Sequence, residues 1–125
     1  MHKWTPSEEQ RRAECEAGRA VVANMRSPAK GGDVALIAWA KLTGRFVRID
    51  RKSDWGNPFE MPKPERDGDR ARVCALHATD LGNHPELLAR LPELRGKVLG
   101  CWCHPEQCHG DTLAELVNTK GAHHA

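Results

Sequence analysis

Gly96-Lys97-Val98-Leu99-Gly100-Cys101-Trp102-Cys103 is a short apolar run entered through a glycine, and after a dense polar turn helical spacing returns from Thr112 to Asn118. Apolar runs of this length bounded by turn residues read as buried strands, so the stretch is a strand feeding a closing helix. Two similar runs lie upstream. Ala20-Val21-Val22-Ala23-Asn24-Met25 sits between Gly18 and Ser27-Pro28 and carries two β-branched residues at its centre. Arg45-Phe46-Val47-Arg48-Ile49-Asp50-Arg51 alternates polar and apolar from Val47 onward, as a half-buried strand does. Helices are expected between them. Ser7-Glu8-Glu9-Gln10 reads as a capping box opening an alanine-rich helix near the outside of the domain. Asp33 reads as the cap of an apolar helix over Val34 to Leu42 that Gly44 closes. Helical spacing recurs at Arg72 to His77 and at Pro85 to Leu94, where Pro92 ends the second piece. Strand, helix, strand, loop and helices, strand, helix is the order of an α/β domain. We expect a small three-layer, Rossmann-like fold with a short, mostly parallel sheet of about three strands and right-handed crossovers.

The chain has 125 residues, 39% apolar and 29% charged, which suits one domain over residues 1–125. Residues 119–125 are expected to be a flexible tail. Nineteen Lys+Arg against seventeen Asp+Glu leave a charge of +2, too balanced for binding to nucleic acid by bulk charge. No apolar run approaches the roughly 18–20 residues of a membrane helix, and Met1-His2-Lys3-Trp4-Thr5-Pro6 lacks the apolar segment of a signal peptide, so no membrane partner and a cytoplasmic location are expected. Five cysteines, three of them within eight positions, suit metal or thiol chemistry better than a disulfide scaffold.

That cluster, Cys101-Trp102-Cys103-His104-Pro105-Glu106-Gln107-Cys108-His109-Gly110-Asp111, admits three readings. In one, Zn²⁺ is held by Cys101, Cys103, Cys108 and an imidazole, His109 or His104, because thiolate and imidazole are its preferred ligands. In the second the thiols are metal-free and reactive: Cys108 lies at the start of the last helix, where the dipole lowers a thiol pKa, with His109 or Asp111 handling protons. In the third the cysteines pack as small hydrophobes and Asp111 merely caps the helix. On a strand Cys101 and Cys103 share a face and Trp102 turns away from them.

Residues 51–69 form a long irregular stretch, uncommon unless functional or disordered. Within it Ser53-Asp54-Trp55-Gly56-Asn57-Pro58-Phe59 is stiffened by Pro58 and shaped by Gly56. Trp55 suits stacking on a flat ring, Asn57 has donors and acceptors for a base or sugar, and Arg51 suits a phosphate. Arg51, Ser53, Trp55, Gly56, Asn57 and Pro58 are therefore the candidate ligand-binding set, with the plain alternative that Trp55 and Phe59 plug the sheet. Arg45, Arg48, Arg51 and Lys52 form a basic strip diluted by Asp50 and Asp54, which keeps a nucleic-acid partner open.

Trp55-Gly56-Asn57-Pro58-Phe59, then Leu94 to Leu99, then Cys101-Trp102-Cys103-His104-Pro105 to Cys108-His109-Gly110-Asp111 resemble the Domain of Unknown Function 4326 family, found widely in bacteria and phages. The resemblance spans residues 45–118 and leaves 1–44 as a less typical extension. It implies no particular activity, but it marks Trp55 to Pro58 and Cys101, Cys103, Cys108, His109 and Asp111 as motif positions, and it suggests a phage origin in a bacterial cytoplasm. Ligand sites in such sheets lie at the carboxyl ends of strands, which both unusual stretches follow. The expectation is a small nucleotide- or nucleobase-like ligand held between them and worked on by Cys108, His109 and Asp111 in a thiol-dependent transferase or hydrolase. The alternatives are a zinc-stabilised interaction module and a nucleic-acid-binding accessory protein.

Overall fold

Val21–Asn24 (β1), Phe46–Arg48 (β2) and Val98–Cys101 (β3) form one parallel sheet in the order β1-β3-β2. The computed structural model describes residues 3–50, 53–59, 61–104 and 106–121. β3 is central and buried on both faces, which is why Val98, Leu99 and Cys101 follow one another without a polar break. Its pairing sets Val21 opposite Val98 and Asn24 opposite Cys101, so the carboxyl ends of β1 and β3 are level.

The twofold alternation of strand side chains splits the core in two. Val21, Ala23 and Val98 meet Cys15, Leu36 and Ala40 of α1 (Pro6–Glu16) and α2 (Val34–Leu42). Val22, Leu99 and Cys101 face the layer made of α3 (Asp69–Leu81), α4 (Pro85–Arg90), the 3₁₀ turn Leu91–Leu94 and α5 (His109–Gly121). The expected three-layer α/β arrangement is therefore present. Gly110 lets α5 come close: a Cβ there would lie 2.7 Å from Ile49 Cδ1.

Several local expectations are corrected. The capping box of α1 is Thr5 with Glu8, each accepting the other's backbone N–H at 3.1 Å, and not Ser7 with Gln10. Pro6 decides the register, since a first helical residue without an N–H and with φ already set favours the earlier start. As expected, α1 lies on the outside of the domain, with Glu8 and Cys15 its buried residues. The second oxygen of Glu8 accepts the Leu36 N–H of α2 at 2.9 Å. Asp33 occupies the cap position of α2 without capping it; its carboxylate accepts the Asn24 N–H at 2.8 Å and both terminal nitrogens of Arg11 at 2.8 and 2.9 Å. β2 stops at Arg48 and β3 at Cys101, so the face rule used for Trp102 and Cys103 does not reach them. α3 begins at Asp69, whose carboxylate accepts the Arg66 N–H at 2.8 Å. α5 begins at His109, before Asp111, and continues through residues 119–121, expected as tail; residues 122–125 lie outside the described residues. Among the described residues no helix is long and apolar enough to cross a membrane.

Candidate functional site

Beyond the end of β3 the chain turns sharply, and the turn brings Cys108 back so that its sulfur lies 3.4 Å from that of Cys101. The Cys108 S–H donates to Cys101 Sγ, which also receives the backbone N–H groups of Cys103 and His104. These donors, the Cys108 thiol foremost, outweigh burial and bring the Cys101 thiol down to about 7. Cys108 moves the opposite way. Holding the proton for Cys101 and being buried both push its pKa up, and the Asp111 carboxylate adds to this. Of the two sulfurs, Cys101 rather than Cys108 therefore favours the thiolate. The helix-end effect is present, since the Gly110 N–H lowers the Cys108 pKa, but the hydrogen bond to Cys101 and burial outweigh it, and the Asp111 carboxylate, which accepts the Cys108 N–H at 3.1 Å, adds to them.

His109 follows on the first turn of α5. Its Nε2 lies 2.5 Å from the Ile49 carbonyl, and since a carbonyl only accepts, Nε2 carries the proton and Nδ1 is the acceptor. Burial lowers its pKa, so the ring is neutral near pH 7. His77 of α3 meets it edge to face, with centroids 4.9 Å apart. Burial, and then His109, bring His77 down to about 4.

The paired sulfurs form part of the wall of a cavity of about 340 Å³. Phe59, Met61, Val73 and Cys74 give it an apolar side; Arg70, Asp50 and His109 give it polar points. Asn57 and Phe59 of one motif therefore share a cavity with Cys101, Trp102, Cys103, Cys108 and His109 of the other. Trp102 stays 45% exposed at this cavity, and its Nε1–H donates to Asp50 Oδ2 at 3.2 Å. Arg70 ties α3 to the cysteine turn through the Gln107 carbonyl at 3.2 Å and through Cys103.

The other candidates are placed differently. Trp55 is 5% exposed in the core with the Arg90 guanidinium over its ring, so it plugs the sheet rather than offering a stacking face. Asn57 accepts the Phe59 N–H at 2.9 Å and donates to the Val73 carbonyl at 3.3 Å, which pins the loop to α3. Ser53 closes the turn, donating to the Asp50 carbonyl at 2.8 Å. Gly56 and Pro58 line a separate hollow of about 200 Å³ with Trp55 and His77. Asp111 is exposed and acts as a helix cap. Arg51 and Lys52 lie outside the described residues.

The zinc set does not assemble here. Cys101 and Cys108 face each other, His109 Nε2 is engaged by Ile49, and among the described residues no three His, Cys, Asp or Glu side chains form a group that could hold a metal ion. The basic strip is also broken up: Arg45 stacks 4.9 Å over Trp39 and Arg48 is bonded to Asp50. Sequence reasoning missed Trp102, Arg70 and Cys74. A signal for the last two was available, because Arg70, Val73, Cys74 and His77 recur at the spacing of one helix face.

No solved structure matches the chain. It is 57% identical over 76 residues to the "Uncharacterized 12.4 kDa protein in nrdA-td intergenic region" of Enterobacteria phage T4, an alignment covering 58% of this chain and 67% of that protein. The family model described as Domain of unknown function (DUF4326) matches residues 38–119, so it begins inside α2 and includes both motifs that meet at the cavity. With about two thirds of its length matched, the chain belongs to the DUF4326 family.

Proposed function

We propose that this protein binds a small nucleotide- or nucleobase-like molecule in the cavity beyond β3 and acts on it through the Cys101 thiolate. The observation that carries the reading is one cavity of about 340 Å³ where a thiolate-favouring sulfur, a half-exposed indole, a neutral imidazole and a guanidinium border the same space. That volume lies within the roughly 300–1,000 Å³ of small-molecule sites, and its apolar wall with a few polar points suits a flat heteroaromatic ring. Trp102 and Phe59 supply ring faces, Arg70 and Asp50 the polar edges.

In this reading the Cys101 sulfur donates its electron pair to an electrophilic carbon of the ligand, forming a C–S bond while the leaving group departs with the pair of the bond that breaks. The proton for that leaving group comes from the Cys108 thiol; water or the acceptor then attacks the same carbon and loses a proton to His109 Nδ1, the pair of the C–S bond returns to Cys101, and His109 passes its proton back to Cys108. Enzymes of the thiol-dependent transferase and hydrolase type work this way.

The test is alkylation of the folded protein by iodoacetamide, mapped by peptide mass spectrometry, with and without nucleobases and nucleosides. Cys101 is expected to react with a midpoint near pH 7 and to be protected by at least one of these compounds. A Cys101 that reacts only above pH 9, or that none of them protects, overturns the reading.

A further inference from the structure

A second hollow borders the same indole. An open groove of about 560 Å³ is lined by Arg26, Ser27, Lys30 and Trp102. It opens where β1 and β3 end side by side, and from that edge the chain leaves β1 for α2 on one face of the sheet and β3 for α5 on the other. Such a switch point is the natural ligand crevice of an open α/β sheet.

Arg26 and Lys30 are exposed, and neither side chain has an acidic or hydrogen-bonding partner among the described residues. The carboxylates at this edge are engaged elsewhere, Asp33 by Arg11 and Asp50 by Arg48. The backbone beneath the two cations is set by one buried amide. Asn24, 1% exposed at the end of β1, accepts the Arg26 N–H at 2.8 Å and donates to the Lys30 and Gly31 carbonyls at 3.4 and 3.3 Å. Gly32 completes the fold-back, since a Cβ there would sit 1.7 Å from the Arg26 carbonyl oxygen. Two cations without partners among the described residues and the Ser27 hydroxyl are thus presented from a turn whose backbone is already ordered, which leaves the side chains alone to be ordered on binding.

We propose that this groove is the phosphate subsite of the ligand whose base occupies the thiol-lined cavity, which makes that ligand a free nucleoside phosphate. The inference rests on the cavity reading above. Trp102 borders both hollows, so one molecule can lie against the indole with its ring on the sulfur side and its phosphate between Arg26 and Lys30. A guanidinium binds phosphate through paired N–H donors and an ammonium adds a point charge, a combination that favours phosphate over an uncharged sugar.

The experiment measures affinities by calorimetry for the common ribonucleosides, their 5′-monophosphates and 5′-diphosphates, inorganic pyrophosphate and a thymidine decamer, in the native protein and in R26A/K30A. Both substituted positions are exposed, and circular dichroism checks that the variant folds. Nucleoside phosphates are expected to bind at least about tenfold more tightly than the matching nucleosides, and that gap should collapse in R26A/K30A while nucleoside affinity holds. Pyrophosphate binding that needs Arg26 and Lys30, with no binding of nucleosides, keeps the subsite and overturns the base-binding reading of the cavity. Nucleosides that bind as well as their phosphates overturn the subsite and leave the cavity reading in place. A decamer that binds more tightly than every mononucleotide overturns the assignment to a free nucleotide, and no binding of any probe overturns both.

Discussion

On the face covered by α1 and α2, buried charges close on one another: Glu8 caps α2, and Arg11 joins Asp33 and the Val22 carbonyl. On the face covered by α3 and α5, ionisable groups border a cavity instead, and among the described residues the His77 Nδ1 and Arg70 Nε atoms are buried without a hydrogen-bond partner, as Arg45 Nη1 is beside Trp39 on the first face. The first face uses charge to fix how helices sit on the sheet. The second sets ionisable groups around open space, an arrangement characteristic of sites. Burial pushes the Asp33 carboxyl up, yet Arg11 and the Asn24 N–H more than offset this and hold it below the usual range.

Measurements can break or sharpen that contrast. The largest effect is expected from Arg11→Ala, which strands the buried Asp33 charge and should lower stability in urea by about 3–5 kcal/mol. A loss under 1 kcal/mol would mean the network does not hold α1 and α2 together. Close behind comes the comparison of two tryptophans. Trp55→Ala removes a buried plug at a cost of about 3–5 kcal/mol, whereas Trp102→Ala should leave stability within about 0.5 kcal/mol and weaken ligand binding. Equal destabilisation by the two would place Trp102 in the core and remove it from the site.

The pH dependence comes next in size. A His77 pKa of about 4 in the folded state lies below its ordinary 6.5, so the folded protein binds fewer protons than the unfolded chain. Stability from this group is whole above pH 6.5 and falls by about 1.4 kcal/mol per pH unit as pH drops toward 4. His104 and His109, also lowered, act with the same sign. Urea titrations at descending pH should show this slope and His77→Phe should flatten it; an unchanged slope in the variant would assign the effect elsewhere. The smallest effect is a rate. Cys108→Ala removes the main donor to Cys101, raises its pKa and should slow its alkylation at pH 7 by about tenfold, while faster alkylation would show that Cys108 only shields it.

Much of the fold was legible because it depends on short-range patterning. The three apolar runs around Val21, Val47 and Val98 became the three strands, and Val34 to Leu42 became α2 with the expected bounds. The site was legible as two motifs, since dense sulfur and a proline-stiffened loop are chemically unusual, but the roles within them were not. Trp55 and Trp102 exchanged their expected places: burial depends on what α3 and α4 cover, and strand alternation ends where Cys101 leaves the sheet. Cys108 looked activated by a helix end because position along the chain does not show that its thiol packs 3.4 Å from the Cys101 sulfur and holds the proton there.

From the order of residues alone came the strands, most of the helices, the family resemblance and the short list of chemically able side chains, all of which follow from neighbours a few positions apart. Packing alone decided that Glu8 caps a helix not its own, that Cys101 rather than Cys108 favours the thiolate, and that Arg26 and Lys30 stand beside Trp102. Those outcomes depend on hydrogen bonds and burial between segments up to dozens of residues apart, and such distances are set only when the layers close on the sheet.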